Sequence, residues 1–152
     1  MNKLSISQIN TNDMEEVEFI CLRHIETPAL WIENYSFSEE ELNEIRTDFL
    51  KAIDRNILFG LTAKTEKGII GFIWAELLPK RPDVAEIFSL WISPEFRKKG
   101  IATELKKKIE KIAIDRGVKK IRTNVYSSNK TMLDLNLKLG YEITRYDLEK
   151  KL

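Results

Sequence analysis

The segment of this chain best suited to chemistry is a basic turn that leads into a long helix. A proline ends an apolar strand, and a basic triplet and a glycine precede the first helical residues (Pro94, Arg97, Lys98, Lys99, Gly100, Ile101, Ala102, Thr103). The first backbone N–H groups of a helix have no internal partner, and the helix dipole adds partial positive charge there. Gly100 lets the backbone approach a ligand closely. This order of residues predicts a binding site for a pyrophosphate group.

Hydrophobic periodicity predicts the elements that position this turn. In chain order they are a strand over 3–9, helices that open at Asn12 or Asp13 and at the Ser38–Glu41 capping box, strands over 57–62, 69–77 and 84–92, a helix over 101–116, a strand over 120–126, a short helix from Ser128 or Asn129, and a strand near Tyr141–Leu148. Cys21 lies on an apolar helical stripe, which predicts a buried thiol. The order β-α-α-β-β-β-α-β-α-β predicts a single α/β domain over residues 1–152, with a mixed sheet and helices on both faces.

Composition excludes several classes of protein. The chain has 152 residues with 43% hydrophobic and 32% charged side chains, which predicts a globular fold rather than global disorder. Its apolar runs are far shorter than the ~20 residues of a membrane span. One cysteine and one histidine argue against a Cys-rich or His-based metal centre and a Ser-His-Asp triad. We therefore predict a cytoplasmic protein without a metal, since the N-terminal residues do not resemble a signal peptide.

The charged residues are divided unevenly along the chain. Residues 11–55 carry twelve acidic and four basic side chains, a net charge of −8, whereas residues 97–120 carry ten basic and three acidic ones, a net charge of +7. One part of the protein is therefore suited to anions, and another to cations.

Three features of the sequence resemble the GCN5-related N-acetyltransferases, the GNAT superfamily. Arg97-Lys98-Lys99-Gly100-Ile101-Ala102 matches the family signature Arg/Gln-x-x-Gly-x-Gly/Ala. The preceding segment Leu90–Phe96 is similar to the fourth strand of the family and its exit. Asn129 followed by Leu139-Gly140-Tyr141 resembles the family's C-terminal ending. The resemblance covers about residues 56–148, and it implies an N-acetyltransferase.

The resemblance also implies acetyl-CoA as the acetyl donor, held in a V-shaped gap between the fourth and fifth strands. By position, backbone groups of Leu90, Trp91 and Ile92 would pair with the pantetheine amides. The N–H groups from Lys98 to Thr103 would hold the pyrophosphate, and Asn129 would meet the pantetheine near the thioester.

Glu86 is the predicted general base. It lies eleven residues before Arg97, at the start of an apolar strand. In the histone-acetylating branch of the superfamily a glutamate with this role occupies the corresponding place, and Ala85-Glu86-Ile87 resembles that branch. The alternative is a carboxylate on the solvated face of the sheet that pairs with a lysine.

The group that serves the leaving thiolate departs from the family pattern. Many members have a tyrosine here as the acid, and alignment on Gly140 gives Asn136 instead. An amide can donate a hydrogen bond but cannot give up a proton at useful pH. Asn136 is therefore predicted to contact the cofactor and stabilise the thiolate, with Tyr126, Tyr141 or solvent as proton donors, or else to be a plain surface residue.

The acceptor is predicted to be cationic. The region that shapes the acceptor pocket in this fold holds the −8 segment, with Trp31 and Tyr35 as candidate substrate-binding residues between the two helices. Aromatic rings and carboxylates both attract ammonium groups. A polyamine, an aminoglycoside-like amine, or a peptide amine would suit such a pocket. The alternative is that these acids only solvate two amphipathic helices.

Two other functions compete with acetyl transfer. The missing tyrosine leaves open a catalytically weak sensor that binds coenzyme A. The lysines of the basic helix could contact nucleic acid (Lys106, Lys107, Lys108, Lys111, Lys119, Lys120), yet they are predicted to lie on its polar side without an aromatic stacking set. The predicted partners are thus an amine substrate and, as an option, a second copy in a homodimer, with neither nucleic acid nor membrane.

Overall fold

The computed structural model describes residues 3–152, in which five strands form one sheet and four helices flank it. The elements are β1 Ser5–Gln8, α1 Met14–Glu26, a 3-10 turn Thr27–Leu30, α2 Glu39–Asp54, β2 Leu58–Thr65, β3 Gly68–Leu78, β4 Arg81–Ile92, a 3-10 turn Pro94–Phe96, α3 Ile101–Asp115, β5 Lys120–Thr123 and α4 Lys130–Lys138. No helix within the described residues is long and apolar enough to cross a membrane.

The sheet opens between its last two strands. Its order is β1-β2-β3-β4-β5, with antiparallel neighbours except for the parallel pair β4 and β5. That pair is joined only from Val84 to Ile87 on β4, whereas β4 continues to Ile92. Phe88 has no partner on β3, because Ser89 pairs with Trp74 and Ile87 with Ala75. A bulge of this kind bends its strand and increases its twist. The side of β4 that faces β5 is therefore unpaired beyond Ile87.

Helices cover both faces of the sheet, as predicted. On one face α1 and α2 bury Val17, Ile20 and Phe49 against the sheet. On the other face α3 buries Leu105 and Ile109. The two cores lie on opposite faces of the sheet. The loop after β4 leads to α3, on the face opposite α1 and α2.

Local signals set the helix boundaries. Asp13 caps α1, and the Ser38 side chain and Glu41 form the predicted capping box at the start of α2.

Cys21 is fully buried on α1, and burial raises the pKa of its thiol to about 12. The predicted core position of this thiol is confirmed.

The prediction of a final strand near Tyr141–Leu148 is wrong. Residues 141–152 form no strand, although their apolar and polar residues alternate. Alternation makes a strand only where one face is buried and a neighbour completes the ladder, and here Leu148 is 92% exposed. Tyr141 instead turns back, since its N–H donates to the Asn136 carbonyl at 3.0 Å. β5 is also shorter than predicted and ends at Thr123.

A buried carboxylate ties α1 to the sheet. Glu16 is almost fully buried, and it accepts hydrogen bonds from the Asn10 N–H at 2.9 Å, the Thr62 hydroxyl at 3.3 Å and the Lys64 ammonium at 2.6 Å. Removing it leaves these donors without their acceptor.

We expect Glu16→Ala to lower the free energy of unfolding by about 2 kcal/mol. Glu15→Ala is the matched control, because Glu15 is the neighbouring acid on α1 and is exposed. Urea unfolding followed by circular dichroism measures both. Equal losses in the two variants would contradict the structural role of Glu16.

Candidate active site

The turn between β4 and α3 presents a row of free backbone donors. Lys98 and Gly100 both have left-handed backbone angles, with φ of 59° and 81°. The first hydrogen bond of α3 runs from the Glu104 N–H to the Gly100 carbonyl at 3.0 Å. The six N–H groups from Lys98 to Thr103 have no backbone or side-chain acceptor among residues 3–152. Such a row next to a helix start is a ready site for phosphate oxygens.

The basic side chains of the turn do not all extend outward. The Arg97 Nε donates to the Ile92 carbonyl at 3.0 Å, which braces the exit from β4. The Lys99 ammonium lies 5.2 Å from the centre of the Phe96 ring. Lys98 is exposed. Arg97 therefore shapes the turn, and the two lysines supply charge at its surface.

The gap between β4 and β5 leads away from this turn. Leu90, Trp91 and Ile92 lie on the part of β4 that has no β5 partner. Leu90 and Ile92 pack toward α3, whereas Trp91 packs on the other face against Phe72, with ring centres 5.8 Å apart. The unpaired edge offers backbone groups to an extended amide chain, as one strand does to another.

α4 supplies two asparagines, which differ in what their side chains do. Asn129 caps α4, since its Oδ1 accepts from the Met132 N–H at 3.2 Å. Asn136 is 4% exposed, and its Oδ1 has no hydrogen-bond partner in the described part of the chain. The alternative of a surface role for Asn136 is wrong. A buried acceptor without a protein partner fits a ligand that brings its own N–H or S–H donor.

Glu86 lies where β4 and β5 separate. Its Oε1 accepts from the Asn124 amide at 3.2 Å, and its Oε2 lies 3.5 Å from an Arg122 nitrogen. These two contacts of Glu86 therefore join β4 to the β5 side next to the last paired residues, Ile87 and Thr123. The partner is an arginine and an asparagine rather than the lysine of the alternative interpretation.

Trp31 and Tyr35 belong to the connection between α1 and α2. The ring of Trp31 stacks over Tyr126, with centres 6.4 Å apart and planes 20° apart. The Tyr35 hydroxyl donates to the Ile25 carbonyl at 2.6 Å, and burial raises the pKa of this phenol. Tyr126 follows β5 and is half-exposed, so the stack links the connection to the β5 side of the gap.

Comparison with known proteins identifies the family. The model of the acetyltransferase (GNAT) family matches residues 19–141. That range contains the turn, the gap and both asparagines of α4. The chain belongs to the GNAT acetyltransferase family.

Solved structures of this acetyltransferase fold are similar over nearly the whole chain. A predicted acetyltransferase from Clostridium acetobutylicum, solved with acetyl-CoA, has a TM-score of 0.78 at 17% identity and covers 98% of this chain and 96% of its own. An aminoglycoside acetyltransferase from an uncultured soil metagenomic sample, in complex with sisomicin, has a TM-score of 0.71 at 18% identity, with coverage of 98% and 96%. The aminoglycoside N-acetyltransferase AAC(6')-Iy, in complex with CoA, has a TM-score of 0.70 at 18% identity, with coverage of 100% and 96%.

Sequence reasoning missed one carboxylate of the acetyltransferase. Glu76 on β3 pairs in register with Glu86. Burial raises the pKa of the Glu76 carboxyl, and the nearby charges of Asp48 and Glu86 act in the same direction. The indole N–H of Trp74, on the same strand, is buried and has no hydrogen-bond partner within residues 3–152. The available signal was a single acid at the end of an otherwise apolar strand.

One cavity lies apart from this carboxylate pair. It has a volume of about 520 Å³ and opens between α1 and the end of β4, beside Arg23, Lys67 and Trp91. Trp91 and Arg97 are the predicted cofactor residues that line it. Trp31, Tyr35 and Glu86 do not, so the structure does not bring the predicted substrate residues into this cavity.

The predicted position of Lys106 is wrong. The side chain is 1% exposed and lies under Tyr141, with its ammonium 4.6 Å from the ring centre. Helical spacing alone puts this residue beside the buried stripe of α3, and Tyr141, far along the chain, covers it. Lys107 and Lys108 are exposed as predicted.

Proposed function

We propose that this protein transfers the acetyl group of acetyl-CoA to a primary amine of a cationic acceptor, by direct transfer. The six free N–H groups from Lys98 to Thr103 carry the proposal, because a row of unpaired amides at a helix start is suited to a diphosphate. The unpaired edge of β4 and the buried Asn136 Oδ1 extend the same site toward the gap.

Each part of the site has a separate role in holding coenzyme A. Coenzyme A, when bound, supplies an acetyl group activated as a thioester. The amides of the turn fix the phosphate end, and the backbone of Leu90 to Ile92 aligns the arm. The Asn136 Oδ1 accepts a hydrogen bond, and its Nδ2 can donate one to sulfur. The apolar side chains of β4 and α3 exclude water from the gap.

Glu86 takes the proton of the attacking amine. It is the carboxylate that lies where the two strands part, and two neighbours from the β5 side hold its oxygens. A fixed carboxylate near the attacking nitrogen accepts its proton directly or through water. Asn124 and Arg122 fix the direction of the carboxylate.

A row of acidic side chains on α2 supports a cationic acceptor. Glu40, Glu44 and Asp48 follow each other at four-residue spacing along α2, about 6 Å apart, and line one shallow groove. The negative charge of Asp48 helps to raise the pKa of Glu76, and Glu76 lies opposite Glu86 on the neighbouring strand. Several ammonium groups on one molecule would meet several of these charges in turn. Two of the similar structures are named aminoglycoside acetyltransferases, and aminoglycosides carry several amines.

The test is release of free thiol from acetyl-CoA with a panel of amines. We expect kcat/KM to be highest for polyamines and aminoglycosides and lowest for amines that also carry a carboxylate. The double variant Glu44→Gln/Asp48→Asn should lower kcat/KM for a polyamine about tenfold and leave that of a singly charged amine unchanged. Glu66→Gln is the control, since Glu66 is exposed on the β2–β3 turn.

Two results separate the parts of the proposal. Equal kcat/KM for polyamines and carboxylate-bearing amines would contradict the cationic acceptor. Absence of thiol release with every amine, together with no heat from coenzyme A in calorimetry, would contradict acetyl transfer itself.

A further inference from the structure

Residues 142–152, here called the exposed segment, have no secondary structure, and each of them is exposed. Their N–H and C=O groups form no backbone hydrogen bond within residues 3–152. Ile143, Tyr146 and Leu148 are 50%, 79% and 92% exposed. Monomeric proteins rarely expose neighbouring apolar side chains to this extent. The exposed segment therefore offers apolar surface and free backbone groups to a partner.

The middle of the exposed segment has the pattern and the backbone shape of a strand. From residue 144 to residue 149, Tyr146 and Leu148 lie on one face, and charged side chains alternate with them (Arg145, Asp147, Glu149). The Arg145 Nε lies 3.9 Å from the Asp147 Oδ1, which fits side chains two residues apart on one face of an extended chain. One face of this stretch is thus apolar and the other is charged.

β5 has a free edge on the side away from β4. It is the last strand in the order of the sheet, and Lys120–Thr123 pair only with β4. Apart from that pairing, these four residues form no backbone hydrogen bond within residues 3–152. A free edge of this kind accepts a further strand through its unpaired N–H and C=O groups.

The two faces of β5 match the two faces of the exposed segment. Ile121 packs on the α3 face of the sheet, whereas Lys120 and Arg122 are exposed and point to the other face. A strand beside β5 would place its apolar face next to Ile121 and its two carboxylates next to the two basic side chains. The other edge strand, β1, has no charged residue in Ser5–Gln8. The exposed segment therefore fits β5 rather than β1.

The start of the exposed segment is fixed on α3 and α4. The Tyr141 hydroxyl donates to the Glu110 carboxylate at 3.2 Å, and the Tyr141 N–H donates to the Asn136 carbonyl at 3.0 Å. Beyond this anchor the chain does not return to its own sheet, since none of residues 142–152 pairs with β5. One chain thus carries a free edge and a free strand, and a second copy satisfies both.

We infer that residues 144–149 of one copy add a strand to β5 of a second copy, and that the exchange is mutual, so that the protein is a homodimer. A twofold axis relates the two contacts, so each copy gives one strand and receives one. Each added strand supplies backbone hydrogen bonds and covers Tyr146 and Leu148. The exchange also removes the edge of β5, which would otherwise promote aggregation. The assembly requires neither coenzyme A nor an acceptor amine.

The first test is the mass of the protein in solution, from sedimentation equilibrium at several concentrations. We expect twice the 17.8 kDa of one chain. Tyr146→Pro should raise the Kd of the dimer about 100-fold, because proline lacks the N–H of the ladder and both copies carry the change. Lys151→Pro is the matched control, since Lys151 is also exposed and lies beyond the alternating stretch. It should keep the wild-type Kd, and both variants should melt as folded proteins.

The second test is cross-linking, which distinguishes exchange from closure of the segment onto its own chain. The thiol of Cys21 is fully buried, so engineered cysteines are the thiols that react. Lys120→Cys and Asp147→Cys are made in separate chains of different tagged mass, mixed in urea and refolded together. A bismaleimide with a reach of about 15 Å, three times the spacing of strands, is then added. Exchange predicts a covalent dimer of the two different chains.

The double variant Lys120→Cys/Asp147→Cys completes this test, because both thiols are then in one chain. It should be joined between chains. Cross-links confined to single chains would show instead that the segment closes on its own β5. A mass of one chain at every concentration, or a dimer whose Kd is the same in Tyr146→Pro as in the wild type, would also overturn the exchange. None of these results bears on the proposed function, which thiol release tests separately.

Discussion

Gly100→Val should lose affinity for coenzyme A by about 100-fold or more, the largest effect expected of a single substitution here. Gly100 has a φ of 81°, which costs a β-branched residue about 1–2 kcal/mol or more. No atom of residues 3–152 lies within 4 Å of the added Cβ, so the conformation rather than the space is the constraint. Relaxing that angle would turn the N–H groups of the turn away from one another. Losing two charge-assisted hydrogen bonds accounts for the expected change.

Gly117→Val is the matched control for this experiment. Gly117 follows the other end of α3, with the same φ of 81° and the same open surroundings. Both variants should therefore lose similar stability in thermal melting, and only Gly100→Val should lose binding in calorimetry. Wild-type affinity in Gly100→Val would mean that the turn does not hold the diphosphate.

Glu86→Gln should lower kcat by about 100-fold near neutral pH, with little change in the KM of either substrate. Glutamine keeps an oxygen for the Asn124 amide but cannot accept the proton of the amine. The lost attraction to Arg122 should matter little for stability, because the Arg122 side chain is about half exposed to solvent. The measurement is kcat from thiol release between pH 6 and 9, with thermal melting beside it.

Asp83→Asn is the control for Glu86→Gln. Asp83 is an acid on the same strand, three residues earlier, and it lies before the β4–β5 pairs. It should retain wild-type kcat. Should Glu86→Gln also retain it across the whole pH range, the base is another group, and Glu76, whose pKa burial raises, is the next to substitute.

Much of the fold could be predicted because its signals are local. The capping box at Ser38 and Glu41, the proline after β4 and the left-handed glycine before α3 each act within a few residues. The same is true of the turn between β4 and α3, where neighbours in sequence are neighbours in space. The family resemblance added the gap between the fourth and fifth strands.

The errors share a physical origin in long-range contacts. The charge of Lys106 led to its prediction on the polar side of α3, and the ring that covers it comes from Tyr141. Glu76 became visible as a site residue only when the register placed it opposite Glu86. The segment after Tyr141 has the pattern of a strand but no neighbouring strand to complete it. A sequence pattern describes one element, whereas each of these three features depends on a contact between two elements.

The buried position of Cys21 has a practical consequence for enzymology. It is the chain's one cysteine, it is fully buried, and burial holds its thiol in the protonated, unreactive form. A chromogenic disulfide or a maleimide dye added to the native protein would therefore find a single accessible sulfhydryl, that of the liberated product. Turnover can be followed continuously in this way without masking the polypeptide, and delayed labelling of Cys21 would give a sensitive signal for unfolding.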